Sequence, residues 1–128
     1  MNFKALSVIT SIVAGTLCAS LLIYPEIIFI LFNIEHNSAA FFIGRRAAML
    51  FLGITVMSWA VRNTAHSHTQ QAICLGHGFA MLGMSVMGVT EFVRGYVSAG
   101  IFIAIVTEAI LAYSYFKIWL SLGRPNNE

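Results

Sequence analysis

Charge is what this chain has least of. Of its 128 residues, 9% are charged and 59% are hydrophobic, whereas a soluble domain carries about 25% charged residues. A soluble chain of this length could not hide so much apolar surface, so the bilayer is the expected solvent for most of it. The formal net charge is only +2, and no basic run of the kind that binds nucleic acid is present. Cysteine is scarce too. Cys18 and Cys74 form no Cys-X-X-Cys pair, which excludes a dithiol redox site. The spans described next set them at different depths, which argues against a disulfide, and both read as small buried hydrophobes. Repeats and low-complexity tracts are also missing. So are a metal-ligand cluster, a nucleophile beside a base, and a phosphate-binding loop, which leaves a membrane enzyme as the least favoured class.

What is present is long apolar sequence. Four stretches approach the length needed to cross about 30 Å of hydrocarbon. They run over Ala5 to Leu22, Ala39 to Val61, Gln71 to Phe92 and Val97 to Leu120. Lys4 followed by an apolar run resembles a signal peptide. A lipoprotein site at Cys18 would want a small residue before it, and Leu17 stands there, so the first stretch is expected to remain as a span. Pro25 to Phe32 is too short to cross again, and proline suits a first helical turn. That segment is expected to be a short interfacial helix or a kinked continuation of the first span. Asn33 to Ser38, Arg62 to Gln70 and Arg94 to Tyr96 read as loops, and Gly123 to Glu128 as a polar tail. The fold class is therefore all-α: one membrane domain, residues 1–128, a transmembrane four-helix bundle with a short interfacial helix after the first span.

Four spans put both termini on one side with Lys4, Arg62, Lys117 and Arg124, opposite Glu26, Glu35, Glu91 and Arg94. The excess of basic residues favours both termini in the cytoplasm.

A few residues do not belong in a membrane helix. Arg45 and Arg46 lie some six residues inside the second span, where a charge costs a few kcal/mol or more. Consecutive helical residues point about 100° apart, so one is expected to face the bundle and the other to reach the headgroups. Snorkelling of both is the plainer alternative. Gly44 and Ala48 form a small-residue pair that permits close helix contact. Glu108, near the middle of the fourth span, has Ala104 and Ala112 one turn before and after it. Small neighbours admit another helix, so Glu108 should point inward, either neutral or paired. Arg45 or Arg46 is the expected partner of Glu108 or of Glu91. In the third span Met84, Gly88 and Glu91 follow His77 on one face. A lone histidine with a methionine is weak support for haem or copper, and a hydrogen-bonded core histidine is the plainer reading. His66 and His68 flank Ser67 in a loop and read as polar surface rather than as a metal site. Gly76, Ala80 and Gly83 offer a stripe for helix contact, which favours a homo-oligomer or a larger membrane complex.

The run Gly44-Arg45-Arg46-Ala47-Ala48-Met49-Leu50-Phe51-Leu52-Gly53, then Trp59-Ala60-Val61-Arg62-Asn63, with Tyr24-Pro25-Glu26 ending the first span, resembles a group of small bacterial four-helix membrane proteins of unknown function. Members show Pro-Glu after the first helix and an Arg-rich, Leu-Gly-containing second helix. The resemblance implies the four-helix architecture and a bacterial inner membrane. It implies no activity, no cofactor and no catalytic residue.

Two functional readings stand. The first is a binding or accessory protein in which Arg45, Arg46, Glu91, Arg94 and Glu108, with His77 deeper, form a polar pocket opening to the outer leaflet. Its ligand would be an anionic lipid, a quinone-like molecule or a partner helix, with membrane lipids around it. The second is a small transporter that couples movement to protonation of Glu108.

Overall fold

The computed structural model describes residues 2–65 and 67–123. His66 and most of the polar tail, with Arg124, lie outside the described residues. Five helices follow in order: α1 (Phe3–Ile23), α2 (Pro25–Phe32), α3 (Ser38–Val61), α4 (Ser67–Val93) and α5 (Ile101–Leu122). All except α2 are long and apolar enough to cross a membrane, α1 alone reaching about 32 Å at 1.5 Å per residue. The bundle reading of the sequence holds, with the short helix in the expected place.

Local chemistry sets the helix ends. Asn2 and Asn37 cap α1 and α3, their side-chain oxygens accepting from the amides of Ala5 at 2.9 Å and Ala40 at 2.8 Å, which satisfies donors that the first turn leaves free. Pro25 opens α2, and Asn33 ends it in the left-handed region at φ 57°. Two boundaries differ from the hydropathy reading. Helix α4 begins at Ser67 rather than Gln71, because its first turn is polar and carries no apolar signal. Helix α5 begins at Ile101 rather than Val97, because residues 97–100 are engaged by α2. The Ser98 amide donates to the Phe32 carbonyl at 2.9 Å and the Ser98 hydroxyl to the Leu31 carbonyl at 2.9 Å. These bonds satisfy orphan carbonyls at the α2 C-terminus. Gly100 lies directly against the Leu31 carbonyl, where any β-carbon would collide with backbone.

The long helices form two antiparallel pairs. In the α1–α3 pair, Gly44 and Ala48 are buried against Leu21, Phe29 and Cys18, the close approach expected of that small-residue pair. Further along, the Ser11 hydroxyl donates to the Thr55 carbonyl at 3.0 Å. In the α4–α5 pair, Gly78 packs under the Phe116 ring and Gly88 under Ile105, while the Gln71 amide group donates to the Leu122 carbonyl at 3.0 Å. The pairs join at two levels. At the end where α1 starts, here the Phe3 end, Phe3, Leu6, Cys74, Met81, Leu111, Ala112, Tyr115 and Ile118 make the main core. At the opposite end, α2 and the α4–α5 loop are stitched together as above. The outer surface is apolar on every long helix, with Ile12, Leu50, Phe79, Val93 and Ile103 among many exposed side chains, the surface that acyl chains would cover. Cys18 and Cys74 are free and buried in separate clusters.

Candidate functional site

Between the two levels where the pairs join, the helices part. A cavity of about 320 Å³ opens there, lined by α1 (Thr10, Ile12, Val13, Ala14, Thr16, Leu17), α2 (Ile28, Leu31, Phe32), Phe51 of α3, Met81 and Met84 of α4, and α5 (Ile103, Ala104, Thr107, Glu108, Leu111). Its size falls at the small end of the roughly 300–1,000 Å³ usual for ligand pockets. The wall is almost wholly apolar, and among the described residues Glu108 is the only ionisable side chain in it. Ile12 and Thr16 on α1 and Ile103 on α5 are exposed, so the cavity opens sideways between α1 and α5, toward the surface lipid would cover.

Glu108 is half-buried, on the cavity wall beside Ala104, as its small neighbours predict. Because α5 starts at Ile101, it lies about 10 Å along that helix, nearer the α2 end than the hydropathy span implies. It forms no ion pair, since the Arg94–Glu91 contact is the one salt bridge among the described residues. The expected pairing with Arg45 or Arg46 is not made. Both arginines are exposed on α3, with the Arg46 guanidinium 5.6 Å from the Phe42 ring centroid. The reason is helix order. Helix α3 packs on α1, and α1 is what meets α5, so a similar depth does not make Arg45 and Glu108 neighbours. Neither arginine faces the bundle interior.

The other candidates are dispersed. Glu91 and Arg94 contact each other at 3.4 Å, one helical turn apart at the end of α4, with side chains 30% and 65% exposed. A pair that open to solvent is worth little. Met84, Gly88 and Glu91 do share the inward face with His77. His77 itself is buried at the Phe3 end, far from the arginines in the fold, and its Nε2 lies 3.0 Å from the Ser58 hydroxyl. The structure therefore does not assemble an Arg/Glu pocket. Of the six candidates, only Glu108 reaches the cavity.

His77 belongs instead to a buried polar core to which every long helix contributes. The Tyr115 hydroxyl donates to Thr10 Oγ1 at 2.8 Å, and the Tyr115 ring packs on His77 with centroids 5.2 Å apart. Tyr115 and Ser58 are 0% exposed, Thr10 1% and His77 4%. The line runs Thr10 (α1), Tyr115 (α5), His77 (α4), Ser58 (α3). In a bilayer such bonds act as glue between helices. Ser7, equally buried, has no partner for its hydroxyl. Thr10, Ser58 and Tyr115 escape the sequence reading, although the spacing of Ser7, Thr10, Ser11 and Ala14 marks one helical face of α1 and is the signal that points there. Among the described residues no three His, Cys, Asp or Glu side chains converge on a metal-sized site.

Comparison of the chain with protein-family models, with curated proteins and with solved structures finds no match.

Proposed function

We propose that this chain is a small binding or accessory protein of the bacterial inner membrane, and that its site is the lateral cavity, with Glu108 as the polar anchor for an otherwise apolar ligand. The observation that carries the reading is a lone carboxyl group in an apolar wall that opens toward lipid. A ligand dissolved in the bilayer enters such a site without crossing water, and one fixed polar group gives it orientation. The charge distribution supports both termini in the cytoplasm: Lys4, Arg62 and Lys117 lie at the Phe3 end, while Glu26, Glu35, Glu91 and Arg94 lie at the other, with Arg45 and Arg46 inside α3. Filling the cavity tests the reading. Protein purified in mild detergent should release a small lipophilic molecule on organic extraction, in amounts close to stoichiometric, and Ala104→Phe protein should release little. Equal release from a folded variant would sink the reading.

A second reading, proton-coupled transport of the same ligand, is favoured by one observation: Glu108 has no salt-bridge or hydrogen-bond partner among the described residues to hold it in one protonation state. Vesicles with an imposed pH gradient should then take up ligand with the wild-type chain and not with Glu108→Gln. Gradient-independent equilibration would leave binding alone.

A further inference from the structure

The cavity wall carries a chemical bias beyond being apolar. Four side chains in it have oxygens: Thr10, Thr16, Thr107 and Glu108. The Thr16 hydroxyl donates to the Ile12 carbonyl at 2.9 Å and the Thr107 hydroxyl to the Ile103 carbonyl at 2.8 Å. Their protons are committed to their own helices, and what they present to the cavity is lone pairs. Thr10 accepts from Tyr115, so it alone keeps a proton to offer. Ionised Glu108 is acceptor-only. No lysine, arginine or histidine from α1, α2, α3, α4 or α5 lines the space, and Arg45 and Arg46, the nearest basic residues in the sequence of α3, are exposed outside the cavity. Phe32 and Phe51 add aromatic rings to the same wall, and ring faces attract cations.

Resting on the binding reading above, we propose that the ligand is a hydrophobic cation: a compact apolar or aromatic body bearing one quaternary or protonated amine, seated with the amine toward Glu108. Such a ligand supplies the positive charge that the protein does not place beside its own carboxylate. An anionic lipid headgroup would face acceptors and a like charge, and is disfavoured on the same grounds.

The test uses the full chain in nanodiscs of phosphatidylcholine alone, by equilibrium dialysis against empty discs. The probes are benzyltrimethylammonium, which is a cation at every pH, and its neutral isostere neopentylbenzene. Wild type should bind the cation at least about tenfold more tightly than the isostere. Glu108→Gln should bring the ratio close to one, and Glu108→Asp should keep a preference for the cation. If the Gln variant does not fold, acidifying the wild type serves the same purpose. Among the described residues Glu108 is the one titratable group on the wall, so its protonation must weaken the cation and spare the isostere. Equal wild-type affinities, or a cation preference that survives Glu108→Gln, would overturn the cation assignment. Binding of the isostere that Ala104→Phe abolishes would then leave the cavity reading standing. Failure of both probes to bind wild type overturns both.

Discussion

The two ends of the bundle solve the same problem in opposite ways. At the Phe3 end, polar groups are enclosed and paired: Thr10, Tyr115, Ser58 and His77 join the four long helices with almost no exposed surface. Toward the α2 end, the helices part around an apolar space, and Glu108 is left without an ion-pair or hydrogen-bond partner among the described residues. Buried polar groups cost little when they are bonded and much when they are not. An end that bonds all but one of its enclosed polar side chains is built for stability, whereas an end that leaves a carboxyl group unbonded forgoes that stabilisation. The difference teaches that, His77 apart, the sites most visible as anomalies and the sites that hold this bundle together are different residues.

The sharpest way to break that comparison is to damage the sealed end. Tyr115→Ala removes a fully buried ring and the hydroxyl that bonds Thr10. Emptying an aromatic site of this kind costs about 3–5 kcal/mol, and the Thr10 hydroxyl loses a partner as well. Unfolding in detergent, followed by helical circular dichroism, should show the largest loss of any single change. A loss below that of a lipid-facing substitution such as Leu50→Ala would mean the polar core is not what joins the helix pairs. A smaller effect is expected at Gly88, where a β-carbon would stand 2.7 Å from Ile105 Cγ1. Gly88→Ala should be destabilising by about 1–3 kcal/mol through overpacking, and Ile105→Ala in the same chain should relieve most of that strain. Simple additivity of the two changes would show that α4 and α5 are not in close contact there.

Within the sealed end, Ser58→Ala and Tyr115→Phe each delete one hydroxyl of the same line. Hydrogen bonds between membrane helices contribute about 0.6 kcal/mol on average and up to about 1.7 kcal/mol. Each change should cost an amount in that range, and the double variant should cost less than the sum, because the two bonds are linked through the packed rings of Tyr115 and His77. Independent effects in the double-mutant cycle would reduce the line to separate contacts.

The spans are legible in the sequence because apolar length is a direct consequence of hydrocarbon thickness. Glu108 is legible because a mid-span carboxyl group between alanines has few places to go. That Arg45 and Glu108 do not pair is not legible, because periodicity gives depth and facing but not which helices are neighbours. Here α1 meets α5, and α3 packs on α1. The polar core is hidden for another reason. Serine, threonine and tyrosine pass unremarked in an apolar span, and only the fold brings Thr10 to Tyr115, 105 positions apart in the chain. The start of α4 is missed because Ser67 to Gln70 form a helical turn without an apolar signal.

The smallest predicted effect on stability is the most informative about the open end. Glu108→Gln keeps the shape of the side chain and removes its charge. The carboxyl group has no salt bridge to lose, and an amide is easier than a carboxylate to leave in an apolar wall. Its unfolding midpoint should therefore match or slightly exceed that of the wild type, with a change within about 0.5 kcal/mol, while retention of a ligand in the cavity falls. The same substitution at a residue whose charge holds the bundle together would cost about 3–5 kcal/mol, because the partner would be left buried and unpaired. Equilibrium unfolding of the two proteins in one detergent decides between these. A large loss of stability would place Glu108 among the groups that hold the bundle together, and the contrast between the ends would collapse. A stable Gln variant that no longer holds ligand would establish that this end forgoes a bond within the protein to make one with something that enters from the membrane.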